Sequence, residues 1–239
     1  MIYKKNDFIE IEFTAKTSDD GKIFDSNKKE NLEKINPEIK PEKAKPLIMA
    51  LGQNMFLNGV ENYILNNNIK EKEELKIELP AEKAFGKRQT ELIQRFPLKI
   101  FRENQINPLQ GYLFNFDGRI GKVLTASGGR VIVDFNNPIA GRDVIYEIKI
   151  LRKVENLNEK VKALNDFFFG KELNFEIDEK NKKIIFDVEE KLRKFLELFS
   201  EKYRDILNMN FEFKKEDKKS EEKEKNIEKK EDNKNKKEN

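Results

Sequence analysis

The sequence predicts an α+β protein in three parts: an antiparallel sheet crossed by one helix, a small β domain inserted into it, and a separate C-terminal α+β domain. Three observations carry this reading. Apolar and polar residues alternate in FIEIEFTAK, in the run holding Leu75, Ile77 and Leu79, and in VIYEIKILRKV, while Val60, Tyr63 and Ile64 have helical spacing between them. Between Lys87 and Phe135 the runs YLFNF, GKVLTA and RVIVDF are separated by Asp117-Gly118 and Ser127-Gly128-Gly129 turns. From Leu157 the order changes to helix, two strands, helix and strand.

In the first part, Ile9, Ile11, Phe13 and Ala15 share one face of a strand, with Glu10, Glu12, Thr14 and Lys16 on the other. Ser18-Asp19-Asp20-Gly21 supplies a turn before Lys22-Ile23-Phe24-Asp25, which predicts a hairpin. Asn27 to Lys45, rich in Lys, Glu and Asn and bounded by Pro37, Pro41 and Pro46, reads as a surface loop. LNGVENYIL then gives the one helix, and the strand after it ends at Pro80.

The second part opens with helical or turn character from Glu91 to Asn104, broken at Pro97, and continues as a three-stranded meander. If the strand holding Val144, Tyr146, Ile148 and Ile150 pairs with the first sheet, the meander is an insertion and PAEKAFG is its departure point. The third part is read as a helix to about Phe169, strands LNFEI and KIIFDV, a helix from Glu189 to Leu207 and a strand NFEF. The boundaries follow: 1–86 with 136–154, then 87–135, then 155–214, and a charged tail over 215–239. That tail has Ile227 as its one apolar residue and is expected to be disordered.

Composition narrows the chemistry. Of 239 residues, 48 are Lys or Arg and 45 Asp or Glu, a net +3 that creates no strong single-sign field, so nucleic acid is not an expected partner. With no Cys and no His, thiol catalysis, the usual triads and zinc sites of the common kinds are excluded. MIYKKNDFIEIEF lacks an apolar core of signal-peptide length, and no run of about 18 apolar residues occurs, so a soluble cytoplasmic protein is expected, without membrane contact. LGQNMFLNG is not a phosphate loop: Gly59 comes two positions late for that motif, and Val60 follows it.

The order of strand, GKIFDS hairpin, PLIMALGQNMFLNGVENYI, KIELPAEKAFG and closing VIYEIKI resembles the FKBP-type peptidyl-prolyl cis-trans isomerases. The insert after AFG and the return through NNPIAG resemble the SlyD-like branch with an insert-in-flap chaperone domain, and the C-terminal domain is similar to that of long archaeal members. The resemblance implies a twisted sheet whose apolar pocket receives proline. Phe13 stands where the family has an aromatic, usually tyrosine, on the pocket wall, and Phe24 and Asp25 match its Phe-Asp pair. Leu47 replaces a wall phenylalanine, Phe56 and Leu57 match a pair whose backbone lines the groove, and Val60 occupies the floor. Phe85 falls on a tyrosine whose hydroxyl bonds the bound chain, with Ala84 beside it, and Tyr146 matches the deep phenylalanine of the last strand.

Phe13, Asp25, Phe85 and Tyr146 are thus expected to carry catalysis, and Phe24, Leu47, Phe56, Leu57, Val60 and Ala84 to bind substrate. Neither cofactor nor metal is expected. Rotation about a prolyl amide faces a barrier of about 18–20 kcal/mol, and a thousandfold acceleration needs about 4 kcal/mol of differential binding, within reach of apolar walls and a few oriented polar groups. The resemblance also implies a chaperone surface on the insert, for which Ile93, Phe96, Leu98, Phe101, Leu113 and Phe114 are the candidates, together with Ile100, Leu109 and Phe116. Unfolded or nascent polypeptides with proline are the expected partners. A homodimer through the C-terminal domain is also expected, where Phe167-Phe168-Phe169 exceeds what one helix face can bury. Two alternatives stay open: a holdase or peptide-binding module with little isomerase activity, and a ribosome- or RNA-associated factor.

Overall fold

The structure is a computed structural model that describes residues 3–36 and 44–214. Pro37, Pro41 and the charged tail over 215–239 lie outside the described residues. The chain divides into two compact units, Met1–Glu155 and Asn156–Asn239.

The first unit is organised by β1 (Phe8–Thr17), whose alternation buries Ile9, Ile11, Phe13 and Ala15. On one edge it pairs with β9 (Val144–Val154), which pairs in turn with β4 (Glu74–Leu79). The other edge is shared: β2 (Ile23–Ser26) takes Thr14 to Lys16, and β3 (Leu47–Ala50) takes Phe8 to Ile11. All these pairings are antiparallel.

Where β2 gives way to β3, the edge of β1 would be left with unpaired backbone. Asn27 fills the gap: its side-chain amide donates to the Ile11 carbonyl at 2.9 Å and its Oδ1 accepts the Phe13 N–H at 2.8 Å, imitating a strand residue. The surface loop expected over Asn27 to Lys45 is therefore corrected in its first part, while residues 37–43 lie outside the described residues. Residues Lys29–Ile35 form a helix, α1, which buries Asn31 and Leu32. The Asn31 amide donates to Thr14 Oγ1 at 2.8 Å, so a segment that reads as polar loop is bonded to the sheet through its asparagines. A second helix, α2 (Asn58–Asn66), buries Val60, Glu61 and Ile64.

The insert is a four-stranded antiparallel sheet in the order β5-β8-β7-β6, made by β5 (Ile93–Pro97), β6 (Leu113–Phe116), β7 (Arg119–Ser127) and β8 (Arg130–Asp134). The three-stranded meander gains β5 from a stretch that reads as helix or turn. In so short a run periodicity cannot separate helix from strand, and pairing with β8 decides it. Pro97 closes β5 and caps α3 (Leu98–Glu103). The core is Phe101, Val123, Val131 and Val133, with Phe96, Leu98, Ile106, Phe114, Phe116 and Phe135 packed against it.

In the second unit, α4 (Leu157–Phe169) starts at Asn156, whose side chain accepts the Glu159 N–H at 3.1 Å, and ends at Gly170 with φ +63°. The sheet runs β10 (Asn174–Asp178), β11 (Lys183–Asp187) and β12 (Asn210–Phe213), the last pair parallel. The single helix expected from Glu189 to Leu207 is two, α5 (Glu190–Glu197) and α6 (Ser200–Leu207). Neither Pro nor Gly marks the break. Three-residue hydrogen bonds from Leu198 N–H to Phe195 O and from Phe199 N–H to Leu196 O tighten the end of α5, and Ser200 Oγ donates to Glu197 O at 2.8 Å. The turn buries Leu196, Tyr203 and Ile206, and Tyr203 donates to Asn165 Oδ1 at 2.6 Å inside this core.

Candidate active site

Five rings from five separate segments meet on one face of the first sheet. Tyr146, on β9, is the hub: its ring centroid lies 5.5 Å from Phe56, 6.2 Å from Phe24 and 6.4 Å from Phe13. Phe13 meets Phe56 edge-on at 4.9 Å, and Phe24 meets Phe85 edge-on at 5.6 Å. Phe13 and Tyr146 are buried, while Phe24, Phe56 and Phe85 are half-buried, so the cluster has a closed floor and an accessible rim.

Local irregularities put these side chains there. Ala15 pairs with Asp25 but Lys16 with Ile23, leaving Phe24 as an extra residue in a bulge. Neighbours on a regular strand would point to opposite faces. The bulge lets Phe24 contact Tyr146 while the charge of Asp25 also acts on Tyr146. Phe85 follows a 3-10 turn at Ala81–Lys83 and precedes Gly86, whose φ of +77° only glycine takes freely. Gly86 N–H donates to Ala81 O at 2.7 Å and its carbonyl accepts Gly141 N–H at 2.8 Å, so the outgoing and returning chains are tied beside the ring. Asp143 Oδ1 accepts the Ala81 N–H at 2.8 Å and anchors the same turn to the start of β9.

Phe56 is positioned by Glu61, which sequence reasoning missed. This buried carboxylate accepts the N–H groups of Gly52, Gln53 and Asn54 at Oε2, at 2.7, 3.1 and 3.2 Å, and that of Phe56 at Oε1, at 2.8 Å. A carboxylate four residues into a helix, behind a loop of Gly and Asn, is the signal that could have found it. Of the remaining expected substrate residues, Leu47, Leu57 and Ala84 are half-buried and Val60 is fully buried in α2.

The electrostatics of the site come from two groups. Asp25 is exposed as a residue, yet desolvation of its carboxyl pushes its pKa up, with the Ser26 backbone N–H pulling the other way. Burial, and then the Asp25 charge, push the Tyr146 phenol far up, so it stays neutral and can donate a hydrogen bond. The site offers aromatic walls, one carboxyl and one neutral hydroxyl. Such a set can hold a ring and orient a peptide group without proton transfer.

The insert does not place all its expected surface residues outside. Phe101 is 2% exposed and belongs to the core, a correction that follows from the short helix α3 turning this ring inward against Val123, Val131 and Val133. Phe96, Leu98 and Phe114 are half-buried against that core, Ile93 is half-buried and Leu113 is exposed. Tyr112 and Ile120, which sequence reasoning passed over, are exposed together with Ile100 and Leu109.

Residues 2–99 match the FKBP-type peptidyl-prolyl cis-trans isomerase family, and residues 94–139 match the FKBP26 IF domain. The chain is 27% identical over 150 residues to a short-type peptidyl-prolyl cis-trans isomerase of Methanocaldococcus jannaschii, covering 62% of this chain and 92% of that protein. It is also 27% identical over 153 residues to an FKBP-type 16 kDa peptidyl-prolyl cis-trans isomerase of Escherichia coli, covering 62% of this chain and 91% of that one. Among solved structures, a multi-domain immunophilin from Arabidopsis thaliana aligns with a TM-score of 0.35 at 15% identity, covering 65% of this chain and 39% of its own. Residues 2–99 thus match an FKBP-type peptidyl-prolyl cis-trans isomerase domain, and this match together with the two relatives supports peptidyl-prolyl cis-trans isomerase activity.

Proposed function

We propose that the chain is a cytoplasmic folding factor that isomerises Xaa-Pro bonds of unfolded or partly folded polypeptides at the aromatic cluster, and holds those polypeptides on its insert. The observation that carries this is the set of five rings around Tyr146. A proline ring seated among them exchanges water for aromatic carbon. Its amide then turns in surroundings that stabilise the twisted, deconjugated form more than the planar one. Uncatalysed exchange takes about 10–100 s, so even modest differential binding matters to a folding chain.

The insert supports the holding role. Ile100, Leu109, Tyr112, Leu113 and Ile120 are exposed there. An open groove of about 720 Å³, lined by Leu98, Arg102, Ile106, Leu109 and Ala126 among others, shares no residue with the aromatic cluster. A client bound there would raise the local concentration of its prolines at the cluster. No helix among the described residues is long and apolar enough to cross a membrane. For the second unit we propose homodimerisation. Phe167, Phe195 and Leu198 are 44%, 47% and 75% exposed, and Phe195 joins Phe169 and Phe199 in a ring patch at 6.0 and 5.5 Å.

The exposed residues of the insert also favour a second reading, a holdase with little isomerase activity. Refolding of a proline-limited protein separates the two: acceleration of the slow phase is expected from the full chain. After removal of residues 87–135, acceleration of a short proline peptide should persist while that of the protein falls. Suppressed aggregation with an unchanged slow phase would sink the isomerase reading and leave the holdase.

A further inference from the structure

Ala15 stands opposite Asp25 on β2 and, across its other edge, opposite Tyr146 on β9. Directly paired residues project from the same face, so Asp25, Ala15 and Tyr146 form one row across three strands. Two strand spacings, about 10 Å of backbone, separate the outer two. Ala15 ends at Cβ and is fully buried, which leaves the space above it to its larger neighbours.

Tyr146 is the only one of the five clustered rings with a hydroxyl, since Phe13, Phe24, Phe56 and Phe85 all lack one. The ring is 3% exposed, and among the described residues no side-chain hydrogen bond engages that hydroxyl, which is also not among the polar atoms sealed from solvent without a partner, as the Tyr3 hydroxyl is. A deep ring with an unengaged donor, facing a carboxylate across an alanine, is not what packing alone selects, because phenylalanine would fill the same space without the polar atom.

We propose that the Tyr146 hydroxyl is the substrate hydrogen-bond donor of this site and that Asp25 acts with it, the two forming a donor–acceptor pair that orients the bound Xaa-Pro peptide. This rests on the isomerase reading. The phenol donates to a carbonyl oxygen of the bound chain next to proline. The carboxylate repels that oxygen and accepts a peptide N–H, so only one orientation satisfies both groups. The Asp25 charge also disfavours loss of the phenolic proton, which keeps Tyr146 a donor.

A double-mutant cycle with a proline peptide tests the pair. Tyr146→Phe should lower kcat/KM about 5- to 10-fold with little change in melting temperature, and Asp25→Asn should cost less in the Tyr146→Phe background than in the wild type. Wild-type activity in Tyr146→Phe, or fully multiplicative effects, would overturn the proposal and leave the isomerase reading standing. An inactive wild type would remove that reading and the proposal together. If Tyr146→Phe does not fold, unmutated protein with 13Cζ-labelled tyrosine serves: the Tyr146 signal should shift on saturation with the peptide, and an unmoved signal overturns the proposal.

Discussion

Asp25 is held in the folded chain with its pKa above the ordinary carboxylate value because its carboxyl is desolvated. Between the unfolded and folded pKa values the native state binds more protons, so stability falls as pH rises through that window and the loss persists at neutral pH. Asp25→Asn should therefore melt at a higher temperature than wild type at pH 7, and the advantage should vanish once pH drops below the ordinary carboxylate value. An equal or lower melting temperature at pH 7 would contradict the desolvation. Glu61 has a structural part: its buried carboxylate accepts four backbone N–H groups. Glu61→Ala should lower stability by about 2–4 kcal/mol in denaturant titration and raise KM, because Phe56 loses its tether. The sequence placed Asp25 in the site through the family resemblance, but the desolvation of its carboxyl and the four N–H groups gathered by Glu61 depend on surroundings that only the fold supplies.

At the scale of elements, α2 must pass close to the turn before Phe85. A Cβ on Gly59 would lie 2.6 Å from the Lys83 carbonyl and 2.9 Å from Leu79 Cδ1. Gly59→Ala should accordingly destabilise by about 1–3 kcal/mol by overpacking and reduce turnover, since Lys83 can yield only by moving Phe85. A variant with unchanged stability and activity would show that the turn adapts freely. Strands with long alternation, β1, β4 and β9, were legible because the period of the chain and that of the sheet coincide. The helix α1, the strand β5 and the break between α5 and α6 were not. Asn31 earns its buried place through a bond to Thr14, β5 exists by pairing with β8, and the break lacks a local breaker. Each of these depends on a partner distant in sequence.

At the scale of the whole molecule, sedimentation should detect a dimer at micromolar concentration. Phe195→Glu together with Leu198→Glu, both on exposed positions, should yield a folded monomer. A wild type that stays monomeric at high concentration would exclude dimerisation through that patch. The sequence by itself determined the α+β class, and it excluded thiol and imidazole chemistry and zinc sites of the common kinds through the absence of Cys and His. It also marked Phe13, Phe24, Phe56, Phe85 and Tyr146 as a candidate set. Only the tertiary structure decided which of these rings touch and which polar groups join them. Alternation is a property of neighbouring residues and survives in one dimension. The register that sets Asp25 and Tyr146 on either side of Ala15 comes from pairing strands far apart in the chain, and a bulge at Phe24 fixes it.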